Sequence, residues 1–375
     1  MQSLRVEEHT TLAELIALER EWEDLTARAT SPTIFQTWDW VVTWYETFGR
    51  GLDLRVFSVR DGGRLVGIAP FSSSRIPRTP FTSLYLLGRG MALTEYFDLL
   101  AETGYGETVA RSVIAALHDL RDRWALVQFQ AIPQESELMR ALRQESRLTT
   151  VVTQRIRLER SLPPTWELFH SSLGRSMKDN VNNYVNRLRR TGRSERVVVP
   201  ANQQELGGSL DLFLEFHEMR SRSNLKPPHR DRFSTPIARD FLGLVSRRLL
   251  TRGRIWAMVL EIDDRPVAAQ IWLLLRNRAF RYYSGFDPQW ARDGVMTVLT
   301  RRGIERAIED GFTELDFLLS FDDPREKLRW GAKLQPVATV AVANRDIWSR
   351  AALAAYRVRD RALARGRVPD LLEKL

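Results

Sequence analysis

The stretch Ile255-Trp256-Ala257-Met258-Val259-Leu260-Glu261-Ile262, Asp263-Asp264-Arg265-Pro266, Val267-Ala268-Ala269-Gln270-Ile271-Trp272-Leu273-Leu274-Leu275 decides the fold. Two apolar runs around a polar turn predict an antiparallel hairpin. A third strand, Ala279-Phe280-Arg281-Tyr282-Tyr283-Ser284, ends at Gly285-Phe286-Asp287-Pro288. The loop Ala291-Arg292-Asp293-Gly294 opens a helix from Val295 to Asp310, Gly311 stops it, and Leu315-Asp316-Phe317-Leu318-Leu319 reads as one more strand. The order places a helix start directly after a strand that ends in glycine. Such a start offers backbone N–H groups and a positive dipole end, which suit a phosphate or pyrophosphate. An ordinary strand–helix turn has the same look, and the loop alone leaves both readings open.

The order of these pieces resembles the GNAT superfamily of N-acetyltransferases. More closely it resembles the acetyltransferase family associated with cellulose and exopolysaccharide biosynthesis (CelD/BcsL-like). The matching residues are Asp264-Arg265-Pro266-Val267-Ala268-Ala269, Tyr283-Ser284-Gly285-Phe286-Asp287-Pro288, the helix Thr297 to Asp310, Leu315-Asp316-Phe317, Lys327-Leu328-Arg329-Trp330-Gly331 and, near the start, Ser31-Pro32-Thr33-Ile34-Phe35-Gln36-Thr37-Trp38-Asp39-Trp40. Together they span about residues 10 to 345. The family is similar to the FemAB-like transferases, which carry two GNAT-type domains in one chain.

The resemblance implies attack of an amine or hydroxyl on an acyl-CoA thioester, with acetyl-CoA or another acyl-CoA as co-substrate. It implies that Tyr283, Ser284 and Gly285 supply a strand edge for pantetheine. Arg292, Asp293, Gly294, Val295 and Met296 would form the pyrophosphate site, with Arg292 pairing phosphate. Asp316 is the first candidate for the general base, with a buried structural carboxylate as its alternative. Lys327 is assigned to catalysis as a contact to acceptor or phosphate, and Trp330, Arg220 and Arg222 to substrate binding. Two departures fall near this site. Val295-Met296 stands where the family has Pro-Gly, and the segment from Asp316 to Lys327 is longer, containing Leu318-Leu319-Ser320-Phe321.

Composition sets the outer limits. A chain of 375 residues, 43% hydrophobic and 27% charged, has material for two cores. With no cysteine, disulfides and thiolate chemistry are excluded. Five scattered histidines without HExxH spacing give no zinc motif, and no metal is expected. The net charge of +9 admits an anionic partner, although arginine spread along the chain is equally a matter of composition. There is neither a signal-peptide core nor a run long enough to span a bilayer, which predicts a cytoplasmic protein.

Outward from the central stretch, residues 11–29 predict a helix capped by Thr10 or Thr11. Trp38, Trp40, Trp44, Tyr45 and Phe48 crowd a second helix, as core packing or as an aromatic wall for a ligand. A hairpin about Asp61-Gly62-Gly63 follows, then strands at Leu84–Leu87 and Tyr96–Leu100, a helix at Glu107–Leu120 and a strand at Trp124–Phe129. That repeats the order of the second half without sequence identity, and without the Gly-Phe-Asp-Pro junction, so the first copy is not expected to bind a cofactor.

A polar helix is predicted at 134–150, and a strand at Val151–Leu158 opens the second domain. Arg175, Lys178, Arg187, Arg189, Arg190 and Arg193 line a helix whose apolar side is Val181, Tyr184, Val185 and Leu188. This basic face suits a phosphate-rich partner or plain solvent. Leu210–Arg222 is a helix ending in His217, Glu218, Arg220 and Arg222, where His217 is a general-base candidate or a polar surface group. Phe241–Leu250 is another helix, Leu334–Ala343 a final strand, and 345–366 a basic amphipathic helix that would lie on an anionic bilayer or on its own protein.

The expected fold is thus α/β (α+β), with two tandem GNAT-like domains, each a mixed, mostly antiparallel sheet flanked by helices. The expected domains are a degenerate one at 1–150, an acyl-CoA-binding one at 151–344, and a basic C-terminal helix at 345–375. The expected acceptor is a small molecule or glycolipid. The alternatives are an aminoacyl-tRNA-dependent transferase, with tRNA as partner, and a catalytically silent scaffold. Oligomeric state is left open.

Overall fold

The computed structural model describes residues 4–76, 81–88, 93–95, 97–120, 124–145, 148–319 and 324–364. Two compact units divide the chain, Met1–Ile156 with Gln335–Leu375, and Arg157–Leu334. The first contains β1 (Arg5–His9), α1 (Leu12–Ala17), α2 (Glu19–Arg28), α3 (Trp38–Phe48), β2 (Asp53–Asp61), β3 (Arg64–Arg75), β4 (Thr82–Leu86), β5 (Leu100–Ala101), α4 (Gly106–Asp119), β6 (Leu126–Pro133) and α5 (Glu137–Gln144). After β7 (Leu148–Ser161), the second contains α6 (Trp166–Ser171), α7 (Arg175–Arg190), β8 (Glu195–Val198), α8 (Gln203–Arg222), α9 (Pro236–Thr251), β9 (Ile255–Ile262), β10 (Arg265–Leu275), β11 (Arg278–Phe286), α10 (Val295–Glu309), β12 (Glu314–Leu319) and α11 (Arg325–Arg329). β13 (Lys333–Ala343) and α12 (Ile347–Ala364) are the last described elements.

Each unit is a mixed, mostly antiparallel sheet with helices packed on it, and the two share one order. In the first, β1-β2-β3-β4 are antiparallel neighbours, β4 pairs β6 in parallel, and β13 closes antiparallel on β6. In the second, β8-β9-β10-β11 are antiparallel, β11 pairs β12 in parallel, and β7 closes antiparallel on β12. A parallel step needs a crossover, and α4 and α10 supply it. The hairpins and the helix–strand successions predicted from sequence stand in both halves.

Some expectations change. The final strand, placed by the sequence reading in the second domain, pairs with β6, and α12 packs beside it, so both belong to the first unit. Phe97, Asp98 and Leu99 lie outside any strand, leaving only Leu100–Ala101 paired with β3; Tyr96 lies outside the described residues. β1, β8 and α11 were not anticipated, because each is short and at least half of its residues are polar. The aromatic run of α3 is core: Trp38, Trp40 and Trp44 are buried, Trp40 meets Phe35 edge-on at 4.8 Å, and its Nε1 donates to Thr94 Oγ1 at 3.0 Å. Thr11 caps α1 in a reciprocal box with Glu14.

In the second unit α8 covers one face of β9–β11 and α10 covers the other face of β9 and β10. Alternation along β10 sends Gln270 and Trp272 toward α10, where Gln270 Nε2 donates to Thr300 Oγ1 at 3.2 Å. A Cβ at Gly303 of α10 would stand 2.3 Å from the Trp272 ring. A Cβ at Gly285 of β11 would stand 2.3 Å from the backbone nitrogen of His217 on α8. Glycine at 285 therefore lets helix backbone lie directly on strand backbone. We expect Gly285→Ala to lower stability by about 1–3 kcal/mol, the usual cost of overpacking. Gly207→Ala, on the exposed side of α8 with nothing within 4 Å, should raise it by about 0.5–1 kcal/mol. Urea denaturation followed by circular dichroism measures both; equal midpoints for the two variants would contradict the close crossing.

Candidate functional site

The site begins with a register that stops. β11 and β12 pair in parallel at Arg278–Glu314, Ala279–Leu315 and Phe280–Asp316 only. β11 continues to Phe286 along β10, while β12 continues to Leu319 along β7. Residues 281–286 add about 20 Å of strand at roughly 3.3 Å per residue. The two strands thus open into a wedge beyond Phe280.

A bulge on each strand sets the wedge. On β10, Ile271 opposes Tyr283 and Trp272 opposes Arg281, which makes Tyr282 an extra residue on β11. On β12 the register with β7 jumps between Asp316 and Leu319, and Leu318 sits at φ 64°. A leucine there is strained by its Cβ. Asp316 Oδ1 accepts the Leu318 N–H at 2.8 Å and so holds the turned backbone. Its Oδ2 lies 3.3 Å from Arg157 Nε, and the carboxylate is 0% exposed.

On the α10 side, Arg281 spans the wedge. Its guanidinium grips both carboxylate oxygens of Glu326 on α11, at 2.7 and 2.5 Å, and donates to Thr300 Oγ1 at 3.2 Å. It also lies 5.0 Å from the Phe317 ring centroid. After β11, Asp287 Oδ1 accepts the Gln289 N–H at 3.0 Å and starts a 3-10 turn, Pro288–Asp293. Gly294 follows at φ 63°, a left-handed conformation that disfavours other residues, and α10 begins there with no side-chain cap and no acidic residue in its first turn. α7 lies over this corner. Tyr184 ring atoms stand 2.4–2.5 Å from where a Gly294 Cβ would be, and Arg187 donates to Arg292 O at 2.7 Å. Arg187 is also 3.9 Å from Asp293, and Arg193 lies over the Trp290 ring at 4.8 Å.

On the α8 side a histidine pair backs Tyr283. His217 is fully buried; its Nδ1–H donates to Ser284 O at 3.0 Å and its Nε2 accepts the Arg232 N–H at 3.2 Å. Facing a donor at one nitrogen and an acceptor at the other, the ring is neutral in the Nδ1–H tautomer. His229 Nε2 is 3.1 Å from His217 Nδ1, and Asp231 is 3.8 Å from its Nε2. Tyr283, Phe213 and Phe233 complete the seam, with Phe233 edge-on to Tyr283 at 5.3 Å. Burial lowers the proton affinity of both imidazoles. His229 falls to about 3, through desolvation first and then the neighbouring His217, Arg220 and Arg232. The His217 ring lies against the strand edge, through the Ser284 carbonyl and the Tyr283 ring.

The residues assigned from sequence separate into two sets. Tyr283, Ser284 and Gly285 lie on the β11 edge, and Arg292, Asp293, Gly294, Val295 and Met296 gather at the α10 start. Lys327 Nζ donates to Leu319 O at 2.8 Å, at the end of β12. Asp316 is 0% exposed and bonded to its own strand through the Leu318 N–H, the surroundings expected of the structural alternative. Trp330 is 2% exposed, and its Nε1 donates to Glu326 Oε1 at 3.2 Å. Arg220 is buried and ties the 223–227 loop through Ser223 Oγ, Leu225 O and Pro227 O. Arg222 is exposed and pairs with Glu218 on its own helix. Ser320 and Phe321 lie outside the described residues.

His229, Asp231, Arg281 and Glu326 were not singled out. Two of only five histidines lie twelve residues apart at 217 and 229, and Arg281 interrupts an apolar strand; those were the available signals.

Residues 175–328 match the sequence family described as acetyltransferase (GNAT) domain. No curated protein sequence matches the chain. Among solved structures, FemX superposes with a TM-score of 0.65 at 10% identity, over 90% of this chain and 97% of that one. L-PGS from Bacillus licheniformis gives 0.55 at 12% identity, over 90% and 96%. The C-terminal domain of a putative lysylphosphatidylglycerol synthetase from Agrobacterium fabrum gives 0.54 at 12%, over 94% and 97%. At such identities the likeness is one of fold. Residues 175–328 carry the match to a GNAT acetyltransferase domain, and the fold shared with FemX extends over 90% of the chain.

The neutral histidine pair sets a pH dependence. The unfolded chain binds protons at histidine near pH 6.5, while burial makes both folded imidazoles bind them less readily, His229 only at about 3. The unfolded state therefore binds more protons below pH 6.5, and stability falls as pH falls through that window. We expect the urea midpoint to decline between pH 6.5 and 4.5, with a shallower slope in His229→Gln; parallel slopes would show that the pair is not the cause.

Proposed function

We propose that this chain is an acyltransferase that takes its acyl group from an acyl-CoA, acetyl-CoA in the first instance. The acceptor is an amine or hydroxyl of a sugar or glycolipid precursor in envelope or exopolysaccharide biosynthesis. The observation that carries this reading is the wedge between β11 and β12, which frees one side of the Tyr283–Gly285 segment from strand pairing. An extended pantetheine arm needs such an edge for its amide groups. The match of residues 175–328 to an acetyltransferase domain supports the same reading.

The corner after β11 suits a diphosphate. The α10 start has a left-handed glycine, no capping carboxylate, and the cationic side chains of Arg292 and Arg187 beside it. Tyr184 forms one wall of that corner, so a diphosphate would meet the helix amides from the side away from the ring. In the reaction the acceptor's lone pair attacks the thioester carbonyl, a C–N or C–O bond forms, and the C–S bond breaks. The acceptor's proton ends on the departing thiolate or on water. We assign the contact to acceptor or phosphate to Lys327, whose Nζ donates to Leu319 O at the end of β12.

A second reading, transfer from aminoacyl-tRNA, is favoured by the exposed basic residues Arg175, Arg187 and Arg190 of α7 together with the fold likeness to FemX.

Calorimetric titration with acetyl-CoA separates these readings. We expect saturable binding, weakened about tenfold or more in Arg292→Ala, since a hydrogen bond to a charged group is worth about 1.5–3 kcal/mol. No heat at millimolar acetyl-CoA would end the first reading. Retention of aminoacyl-tRNA on filters in preference to uncharged tRNA would then establish the second, and failure of both would leave a silent scaffold.

A further inference from the structure

Among the described residues, the most exposed large apolar side chains lie together on α12. Ile347 is 74% exposed, Trp348 61% and Val358 68%, each above the other exposed large hydrophobics among the described residues. Asp346 caps the helix, accepting the Ser349 N–H at 2.8 Å. One side is docked: Leu353 is buried and Tyr356 packs with it against Leu126, Ala341 and Ala343 of the first unit's sheet. Trp348 keeps a ring contact with Phe81 at 5.7 Å.

The outward side has its own order. At about 100° per residue, Ile347, Ala351, Ala354 and Val358 fall within an arc of about 60°. That stripe lies opposite the docked Leu353 and Tyr356, at the middle of the exposed face. Arg350 and Arg357 run along one rim of the stripe, and Trp348 and Ala355 along the other. A helix that only packed on its own sheet would turn polar residues to solvent there. A helix that crossed a bilayer would need more apolar length, and none among the described residues is long and apolar enough.

We propose that α12 is a membrane-contacting helix, which lays the Ile347–Val358 stripe into the interface of an anionic bilayer while the arginine rim meets lipid phosphates. An apolar stripe with an arginine rim and an interfacial tryptophan has the chemistry of such a surface. A second copy fits less well, because the chain carries +9 and an isologous contact sets two basic molecules against each other. The proposal goes beyond acyl transfer and does not depend on it. It would, however, bring a glycolipid acceptor and the chain to one surface.

Co-sedimentation of the full chain with phosphatidylglycerol vesicles and with phosphatidylcholine vesicles tests it. We expect binding to the former, weakening as salt rises, and little to the latter. Ile347→Asp with Val358→Asp should reduce binding at least tenfold and Arg350→Gln about fivefold, with circular dichroism and thermal midpoints unchanged because all three positions are exposed. Equal partition of wild type into both vesicle types would overturn the proposal. So would unchanged binding by the double variant. If wild type ignores vesicles but is a dimer by light scattering, and the double variant is a monomer, the stripe belongs to a second copy and the proposal is wrong.

Discussion

The parallel contact between β11 and β12 lasts from Arg278 to Phe280, and the second unit is arranged around its ending there. Two parallel strands would ordinarily keep pairing as long as both continue, since each lost rung leaves backbone groups to be satisfied elsewhere. Here β12 turns away because Leu318 is held in a left-handed conformation, and the buried Asp316 carboxylate bonds the amide that this conformation re-aims. Arg157 beside Asp316 offsets part of the cost of burying that charge. One carboxylate therefore holds the turned backbone that keeps the wedge open.

The wedge is shaped from both sides. The extra residue at Tyr282 shifts the facing of β11, so that Arg281 reaches Thr300 and Glu326 on the α10 side while Tyr283 reaches the histidine seam on the α8 side. Neither helix has slack. Gly285 lies under His217 and Gly303 lies over Trp272, each too close for a Cβ. Binding of an extended ligand along β11 would meet a strand edge already fixed in position, which lowers the ordering cost of association.

Much of this was legible in the residues. Hairpins announced themselves by apolar runs about Asp-Asp-Arg-Pro and Asp-Gly-Gly, and the helix start after β11 by its glycine. Both depend on local backbone preference, which a sequence states directly. The side-chain roles were less legible. Asp316, Trp330 and Arg220 stand at the positions the family resemblance picked out, yet each faces inward and holds backbone or packs. Residue type gives the chemistry a side chain has available, while burial decides whether any ligand can meet it. His217 illustrates the converse: its partner His229 sits in a loop whose path follows from Arg220 binding three groups of the 223–227 segment, a contact with no periodicity to betray it.

What the sequence by itself determined was the order of strands and helices in two similar halves, and the amphipathic character of α7 and α12, because these follow from turn chemistry and periodicity within a few residues. Only the tertiary structure decided that the last strand returns to β6, that β11 and β12 part after Phe280, and that α12 docks by Leu353 and Tyr356 with Ile347 and Val358 outward. Those outcomes depend on pairings between residues far apart in the chain, where register, close approach and burial are settled by packing that no local pattern encodes.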